Sequence, residues 1–303
     1  MPAVQIDQVT KTFGAHVAVD DLSLTVPEGT IYGFIGPNGS GKTTTLRMIM
    51  RIFHPDRGRI EVLGERNLGA ANDRVGYLPE ERGLYKQMKV KDVLKFYAEL
   101  KGMKSPRDEI ARWLEAMGLS AWADKKVTAL SKGMAQKVQF IATVVARPSL
   151  VLLDEPFSGL DPINAVVLRE AVLDLRRSGT TVIFSTHDMA VAEKMCDAIF
   201  MIYRGKKVLD GTLEAIQDAY GDDTIRVRLG GDGASLDDVP GVSHVADFGR
   251  YRELRLEKGA DSQDVLAALM DRGEVRHFEL ARPSLQDIFV RIAGPEASEV
   301  HDA

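Results

Sequence analysis

The chain has 303 residues, 45% apolar and 27% charged, with a net charge of −5, which suits an ordinary globular protein divided into one large and one small domain. The acidic balance argues against nucleic acid as the main partner, and a single cysteine, Cys196, excludes an intrachain disulfide or a Cys-cluster metal site and reads as a small buried hydrophobe. No apolar run approaches the roughly 20 residues that span a bilayer, and Met1-Pro-Ala-Val-Gln-Ile-Asp7 lacks the plan of a signal peptide, so the expected place is the cytosol, with docking on a membrane protein left open.

In residues 3–26, Val4 and Ile6 and then Leu22, Leu24 and Val26 alternate with polar residues, a period of two that predicts antiparallel strands. Phe13 flanks a turn between them. Spacing alone favours a half-buried strand aromatic there over a platform for stacked adenine. After a turn at Pro27-Glu-Gly-Thr30, the apolar run Ile31–Ile35 ends in Gly36-Pro37-Asn38-Gly39-Ser40-Gly41-Lys42-Thr43-Thr44. This is the P-loop pattern G-x-x-x-x-G-K-[ST], with a strand before it and a helix after. The glycines let backbone N–H groups turn inward around phosphate oxygens, and the helix points its positive end at the same anion. Lys42 is expected to reach the β- and γ-phosphates, and Thr43 to place its hydroxyl on Mg²⁺. The following stripe, Leu46, Ile49, Met50 and Phe53, predicts a helix ended by His54-Pro55. Strand-like pieces follow at Gly58–Leu63 and Arg74–Leu78, then the polar loop Pro79-Glu80-Glu81-Arg82-Gly83-Leu84-Tyr85.

Residues 88–147 read as a helical subdomain inserted into an α/β core. Val90, Val93, Leu94 and Tyr97 form one stripe; Ser105 and Pro106 are expected to cap and open the next helix, which carries Ile110, Trp113, Leu114 and Met117. Ser131 is placed to cap a helix bearing Val138, Ile141, Ala142 and Val145. Taken alone it is a cap worth roughly 1 kcal/mol; the other reading is a second phosphate-binding helix start that offers Ser131 and Gly133. Leu150-Val-Leu-Leu-Asp154-Glu155 predicts a buried parallel strand with two acids at its carboxyl end, where open α/β sheets bind ligands. Asp154 suits Mg²⁺ through its water shell, and Glu155 suits the proton of an attacking water. Asp161 caps a helix opened by Pro162. Thr181–Ser185 is a further buried strand ending at Thr186-His187-Asp188, where a bound phosphate and a polar loop role for His187 are about equally supported. Strands at Ala198–Tyr203 and Lys206–Leu209 and a helix near 212–220 complete a first domain, 1–220.

The rest, 221–303, opens with a Gly- and Asp-rich linker region up to Gly233, in which Thr224–Leu229 can already be a strand. Strands at 243–249 and 251–257, a helix at 261–271, a strand at 274–280 and a last helix follow. Ser284 and Asp287 form a capping box, and Leu285, Ile288, Phe289 and Ile292 one apolar face. Nothing there looks catalytic, and the tail from Gly294 is polar.

In this order the motifs resemble the ATP-binding cassette (ABC) ATPases over roughly residues 3–215. Gly36–Thr44 corresponds to Walker A, Leu150–Glu155 to Walker B with its glutamate, Leu130–Met134 to the signature, Ser158–Asp161 to the D-loop, His187 to the switch histidine and Phe13 to the A-loop aromatic; Glu80 falls at the Q-loop glutamine. The resemblance implies an α/β P-loop NTPase cassette: a mixed, mainly parallel core sheet, an N-terminal antiparallel subdomain and the inserted helical subdomain, followed by a small α+β domain. It implies a transport-coupled ATPase using ATP and Mg²⁺. Phe13 would stack adenine, the Gly36–Thr44 loop would hold the phosphates, and Thr43, Asp154 and Glu80 would face Mg²⁺. Glu155 would be the base and His187 a γ-phosphate contact. Ser131, Gly133 and Asp161 would act in trans, in a head-to-tail pair with a second copy or a similar cassette. Lys132, Met134 and Glu80 depart from the family's glycine, glutamine and glutamine. Pro79–Tyr85 together with Leu130-Ser-Lys-Gly133 resembles the branch that energises ABC-2-type exporters, including sodium-extrusion ATPases, and Pro283–Phe289 resembles that branch's accessory domain. The implied partner is a separate integral-membrane permease that inserts a short helix, which places the chain on the cytoplasmic face of the membrane. The alternatives are a soluble cassette ATPase with a non-transport partner and an ATP-binding regulatory module with little turnover.

Overall fold

In a computed structural model the described residues are 1–66, 72–81, 83–220, 224–230, 235–236, 238–247 and 249–294. Arg82, residues 221–223 and 231–233 of the expected linker and the tail beyond Gly294 lie outside them. Contacts divide the chain into Met1–Thr212 and Leu213–Ala303. The division falls earlier than the break expected after residue 220, because the helix there packs with the second unit. Gln217 donates to the Pro283 carbonyl at 3.0 Å, Arg291 to that of Tyr220 at 3.4 Å, and Arg282 pairs with Asp218 at 3.3 Å.

In the first unit, β1 (Pro2–Phe13) pairs antiparallel with β2 (His16–Pro27), Ile6 opposite Leu24 and Val9 opposite Leu22. β3 (Ile31–Ile35) leads into the P-loop and α1 (Lys42–Ile49). β4 (Arg57–Val62) returns to the other side of β1, giving a sheet of order β2-β1-β4. β5 (Val75–Leu78), β6 (Leu150–Asp154), β7 (Thr181–Thr186), β8 (Ala198–Tyr203) and β9 (Lys206–Gly211) complete the core sheet, order β5-β6-β7-β3-β8-β9. Only the β8–β9 pairing is antiparallel. β3, β6 and β7 are buried throughout, which is why they read as unbroken apolar runs. Being parallel, they deliver the P-loop, Asp154 and Thr186 to one edge of the sheet.

α1 stops at Ile49, short of His54-Pro55. Arg51 turns to φ 58° and the N–H groups of Ile52 and Phe53 both fold back to the Arg47 carbonyl, at 2.9 and 3.2 Å. Phe53 thereby leaves the helix stripe and meets Phe13 edge-on, ring centres 5.3 Å apart. The inserted helices are α2 (Val90–Leu100), α3 (Arg107–Ala116) and α4 (Lys132–Val144). Pro106, not Ser105, occupies the cap of α3, with no side-chain cap bond; Asp108 and Glu109 in its first turn suit the helix dipole. Val90, Leu94, Trp113 and Phe140 join Val151, Leu153 and Phe184 of the sheet in one core. α5 (Pro162–Arg177) is capped by Asp161, and α6 (Met189–Met195), which the sequence pattern did not announce, by Asp188. Cys196 lies against Gly33, where a Cβ would come within 2.6 Å of its Sγ, and burial pushes its thiol up, keeping it neutral.

The second unit holds α7 (Leu213–Tyr220), β10 (Thr224–Gly230), β11 (Val242–Asp247), β12 (Arg252–Leu256), α8 (Ser262–Met270), β13 (Glu274–Ala281) and α9 (Leu285–Ala293). Its antiparallel sheet, order β11-β12-β10-β13, packs Ile225, Val227 and Leu254 with Val265 and Leu269. The Ser284–Asp287 capping box forms as expected.

The helical subdomain contains one buried acid, Glu109, whose side chain is 4% exposed and paired with Arg112 and, at 2.6 Å, with Arg147. Burial opposes its charge, but the two guanidiniums outweigh it and hold the carboxyl below its usual range. Such a group stabilises the fold above its unfolded pKa, ~4.3, and that contribution is lost as pH falls through the lower folded value. Glu109→Gln should cost about 1–3 kcal/mol at neutral pH, discounted toward the lower figure because both arginines reach solvent. Thermal melts from pH 7 to pH 3 should show wild type and variant converging in acid.

Candidate functional site

The P-loop leaves β3 with Gly36 at φ 153°, Gly39 at 74° and Gly41 at 113°. Gly36 and Gly41 are required by packing as well as by conformation. A Cβ at Gly36 would stand 2.2 Å from the Ile202 carbonyl, and one at Gly41 2.5 Å from that of Ala18. Pro37 O accepts from Ser40 N at 3.2 Å, which closes the loop around Asn38 and Gly39, and the Thr45 hydroxyl returns to the Gly41 carbonyl at 2.9 Å. Thr44 continues α1.

Lys42 is buried. Its Nζ donates to the Gly36 and Pro37 carbonyls at 2.7 and 3.1 Å and stands 3.7 Å from Glu155 Oε1. Desolvation lowers its pKa, while the charges of Glu155, Asp154 and Glu80 oppose that fall. Asp154, 1% exposed, accepts at Oδ1 from Ser185 at 2.6 Å and Thr43 at 3.0 Å. The Ser185 hydroxyl also accepts the Glu155 N–H at 2.9 Å. That contact holds Glu155 at φ 47°, a left-handed backbone that a non-glycine residue adopts only when its surroundings impose it. Glu155 Oε1 lies 3.0 Å from His187 Nδ1. The structure therefore brings together Gly36–Thr44, Asp154, Glu155 and His187. Glu80, exposed beyond β5, lines with Asp154 and Glu155 a polar cleft of about 350 Å³ that also touches Lys132, Gln136 and Ser158.

Phe13 ends β1, 43% exposed, with Lys11 Nζ 5.4 Å from its ring centre. Ser131 caps α4 and accepts from Met134 N at 3.3 Å; Asp161 caps α5 and accepts from Asn164 N at 3.0 Å. Gly133 lies between these caps, and a Cβ there would be 3.2 Å from Asn164 Nδ2. Among the described residues no hydrogen bond or ion pair joins Ser131, Gly133 or Asp161 to the P-loop. Ser185 has a part that sequence reasoning missed. The available signal was a hydroxyl residue near the carboxyl end of a buried parallel strand, and the register makes it informative by setting Ser185 opposite Asp154.

A P-loop on a parallel sheet, with a buried carboxylate on its threonine, defines a P-loop nucleoside triphosphatase. Comparison with known proteins narrows this. Residues 19–158 match the family described as ABC transporter, and residues 211–293 match the ATP-binding protein DrrA1-3-like, C-terminal domain. The uncharacterized ABC transporter ATP-binding protein YhaQ of Bacillus subtilis is 41% identical over 95% of this chain and 98% of its own. The Nod factor export ATP-binding protein I of Burkholderia lata is 34% identical over 99% of this chain and 100% of its own. A solved structure, an ATP binding subunit of an ABC transporter, superposes with a TM-score of 0.67 at 28% identity, covering 72% of this chain and 93% of that one. The chain belongs to the ABC transporter ATP-binding proteins: it is the ATP-binding, ATP-hydrolysing subunit of a transporter.

Gly41→Ala should force the loop away from the Ala18 carbonyl and displace Lys42 and Thr43. A misplacement of about 1 Å is expected to reduce the ATPase rate by about 10²-fold, read in a steady-state phosphate-release assay.

Proposed function

We propose that this chain energises an ABC-2-type exporter as one of a head-to-tail pair of cassettes, coupling closure on ATP to a separate membrane permease from the cytoplasmic face. The observation that carries the reading is the placing of Lys42, Asp154, Glu155 and His187 at one sheet edge. The exporter branch is supported by the export relatives and the match of the second unit.

On this reading the loop amides and Lys42 hold the phosphates, Lys42 exchanging the Gly36 and Pro37 carbonyls for phosphate oxygens. Phe13 stacks on the adenine. The Glu155 carboxylate takes the proton of the attacking water, and His187, bonded to the same carboxylate, steadies it and faces the γ-phosphate. The residues fit Mg²⁺: a buried carboxylate with a threonine hydroxyl on one oxygen and the other oxygen unpartnered, with Glu80 at the cleft rim. Bound there, the ion would neutralise phosphate charge. A second copy, or a similar cassette, supplies Ser131, Gly133 and Asp161. α4 starts at an exposed N-cap, and a helix start of this kind suits an anion.

Permease docking is supported by an aromatic group just past the Glu80 loop. Tyr85, 52% exposed, stacks edge-on with Phe96, 40% exposed, at 5.5 Å, beside Tyr97. An exposed apolar cluster of this kind accepts the apolar face of an amphipathic helix.

Removing the base while keeping its shape should separate binding from turnover. Glu155→Gln is expected to lower hydrolysis by about 10²–10⁴-fold and to sediment as a dimer in saturating ATP; a monomer would count against the paired site. Phe96→Asp should keep the chain from co-purifying with its permease from detergent-solubilised membranes, whereas wild type is retained and its partner can be identified by mass spectrometry.

A further inference from the structure

Asp154 has one satisfied oxygen and one that is not. Oδ1 accepts from Thr43 and Ser185, while Oδ2 is buried and accepts from no described group. A second buried polar atom in the same condition, the Tyr77 hydroxyl, belongs to the neighbouring strand. Tyr77 pairs with Leu152 across β5 and β6, and Asp154 lies two residues further along β6, so the two side chains leave the same face of the sheet. α1 packs against β6. Its Thr43 reaches Asp154, and its Arg47, one turn on, stands with Asp154 close enough to Tyr77 for both charges to act on the phenol.

Two unpartnered buried atoms side by side, with a guanidinium next to them, describe a place for one bridging water, which needs two to four polar partners. A donor and an acceptor joined through such a water also suit a cation that keeps part of its hydration shell. We infer that Tyr77 is a positioning residue for the metal at this site: its hydroxyl holds a water on Asp154 Oδ2 and thereby fixes which carboxylate oxygen faces the ion. This rests on the reading of Asp154 as the Mg²⁺ carboxylate. It differs from a packing role because its effect is read at the metal rather than in the stability of the fold.

The test uses the full chain, a non-hydrolysable ATP analogue and Mn²⁺ as a paramagnetic probe. Tyr77→Phe should weaken Mn²⁺ binding by about tenfold, the lower end of what loss of an outer-shell partner costs a metal site. Analogue affinity without metal and the metal-free melting temperature should stay at wild-type values. Unchanged Mn²⁺ affinity would overturn the inference, and so would parallel losses in melting temperature and metal-free nucleotide binding, which would make Tyr77 a packing residue. Asp154→Asn separates the two levels. If it binds Mn²⁺ as wild type does, the reading of Asp154 is wrong; if it loses the ion while Tyr77→Phe keeps it, only the role of Tyr77 falls.

Discussion

Asp154 lies at the end of β6 with its carboxylate out of water, and its Oδ1 is held by hydroxyls from two other elements, Thr43 of α1 and Ser185 of β7. A buried carboxylate is tolerated only when it is hydrogen-bonded, so this oxygen ties the P-loop helix, the acidic strand and the strand before His187 into one unit. The tie depends on register. Ser185 stands opposite Asp154 in the β6–β7 ladder, and a slip of one residue would turn it to the other face of the sheet. The same hydroxyl accepts the Glu155 N–H, so the backbone of the proposed base is set by the interaction that holds the proposed metal carboxylate.

Charge at this edge centres on one buried cation, Lys42. Lys42 is desolvated, which disfavours its charge, yet Glu155, Asp154 and Glu80 favour it. The loop carbonyls of Gly36 and Pro37 accept hydrogen bonds from two of its N–H groups. Phosphate oxygens offer stronger, charge-assisted acceptors than carbonyls, so binding would exchange partners at a cation already in place. The glycines serve the scaffold as much as the ligand. Gly36 and Gly41 let the loop lie directly on the backbones of β8 and β2, which fixes the height at which Lys42 and Thr43 emerge.

The parallel strands, the P-loop and the acidic pair were legible because each is encoded locally, by an apolar run ended by glycines or carboxylates. The caps at Ser131, Asp161 and Ser284 were legible for the same reason. Features that depend on contacts distant in sequence were not. α1 stops early because Phe53 turns away to Phe13, a contact between segments forty residues apart in the chain. The unit boundary shifts because α7 bonds to Pro283 and Arg291. Ser185 and Tyr77 look like ordinary strand residues until strand order sets β5 and β7 on either side of β6. The pattern of apolar residues gives the faces of the strands but not which strands are neighbours.

The segment from Pro156 to Asp161 links the two ends of the proposed paired site within one chain. It begins directly after Glu155 and ends at the cap of α5. Along its course it is bound to the start of α4: the Gln136 amide donates to the Pro156 carbonyl, Gly133 packs against Leu160 and Asn164, and the Lys132 side chain lies across Gly159. Gly159 has φ 69°, a left-handed conformation that favours glycine, and the flexible end of the Lys132 side chain lies 3.1 Å from where a Cβ would stand. These contacts fix the start of α4 against the Glu155 backbone, because the segment between them is short and held along its length. In the proposed head-to-tail pair that helix start would face the other nucleotide, and Lys132 adds a contact across the turn that a glycine cannot make.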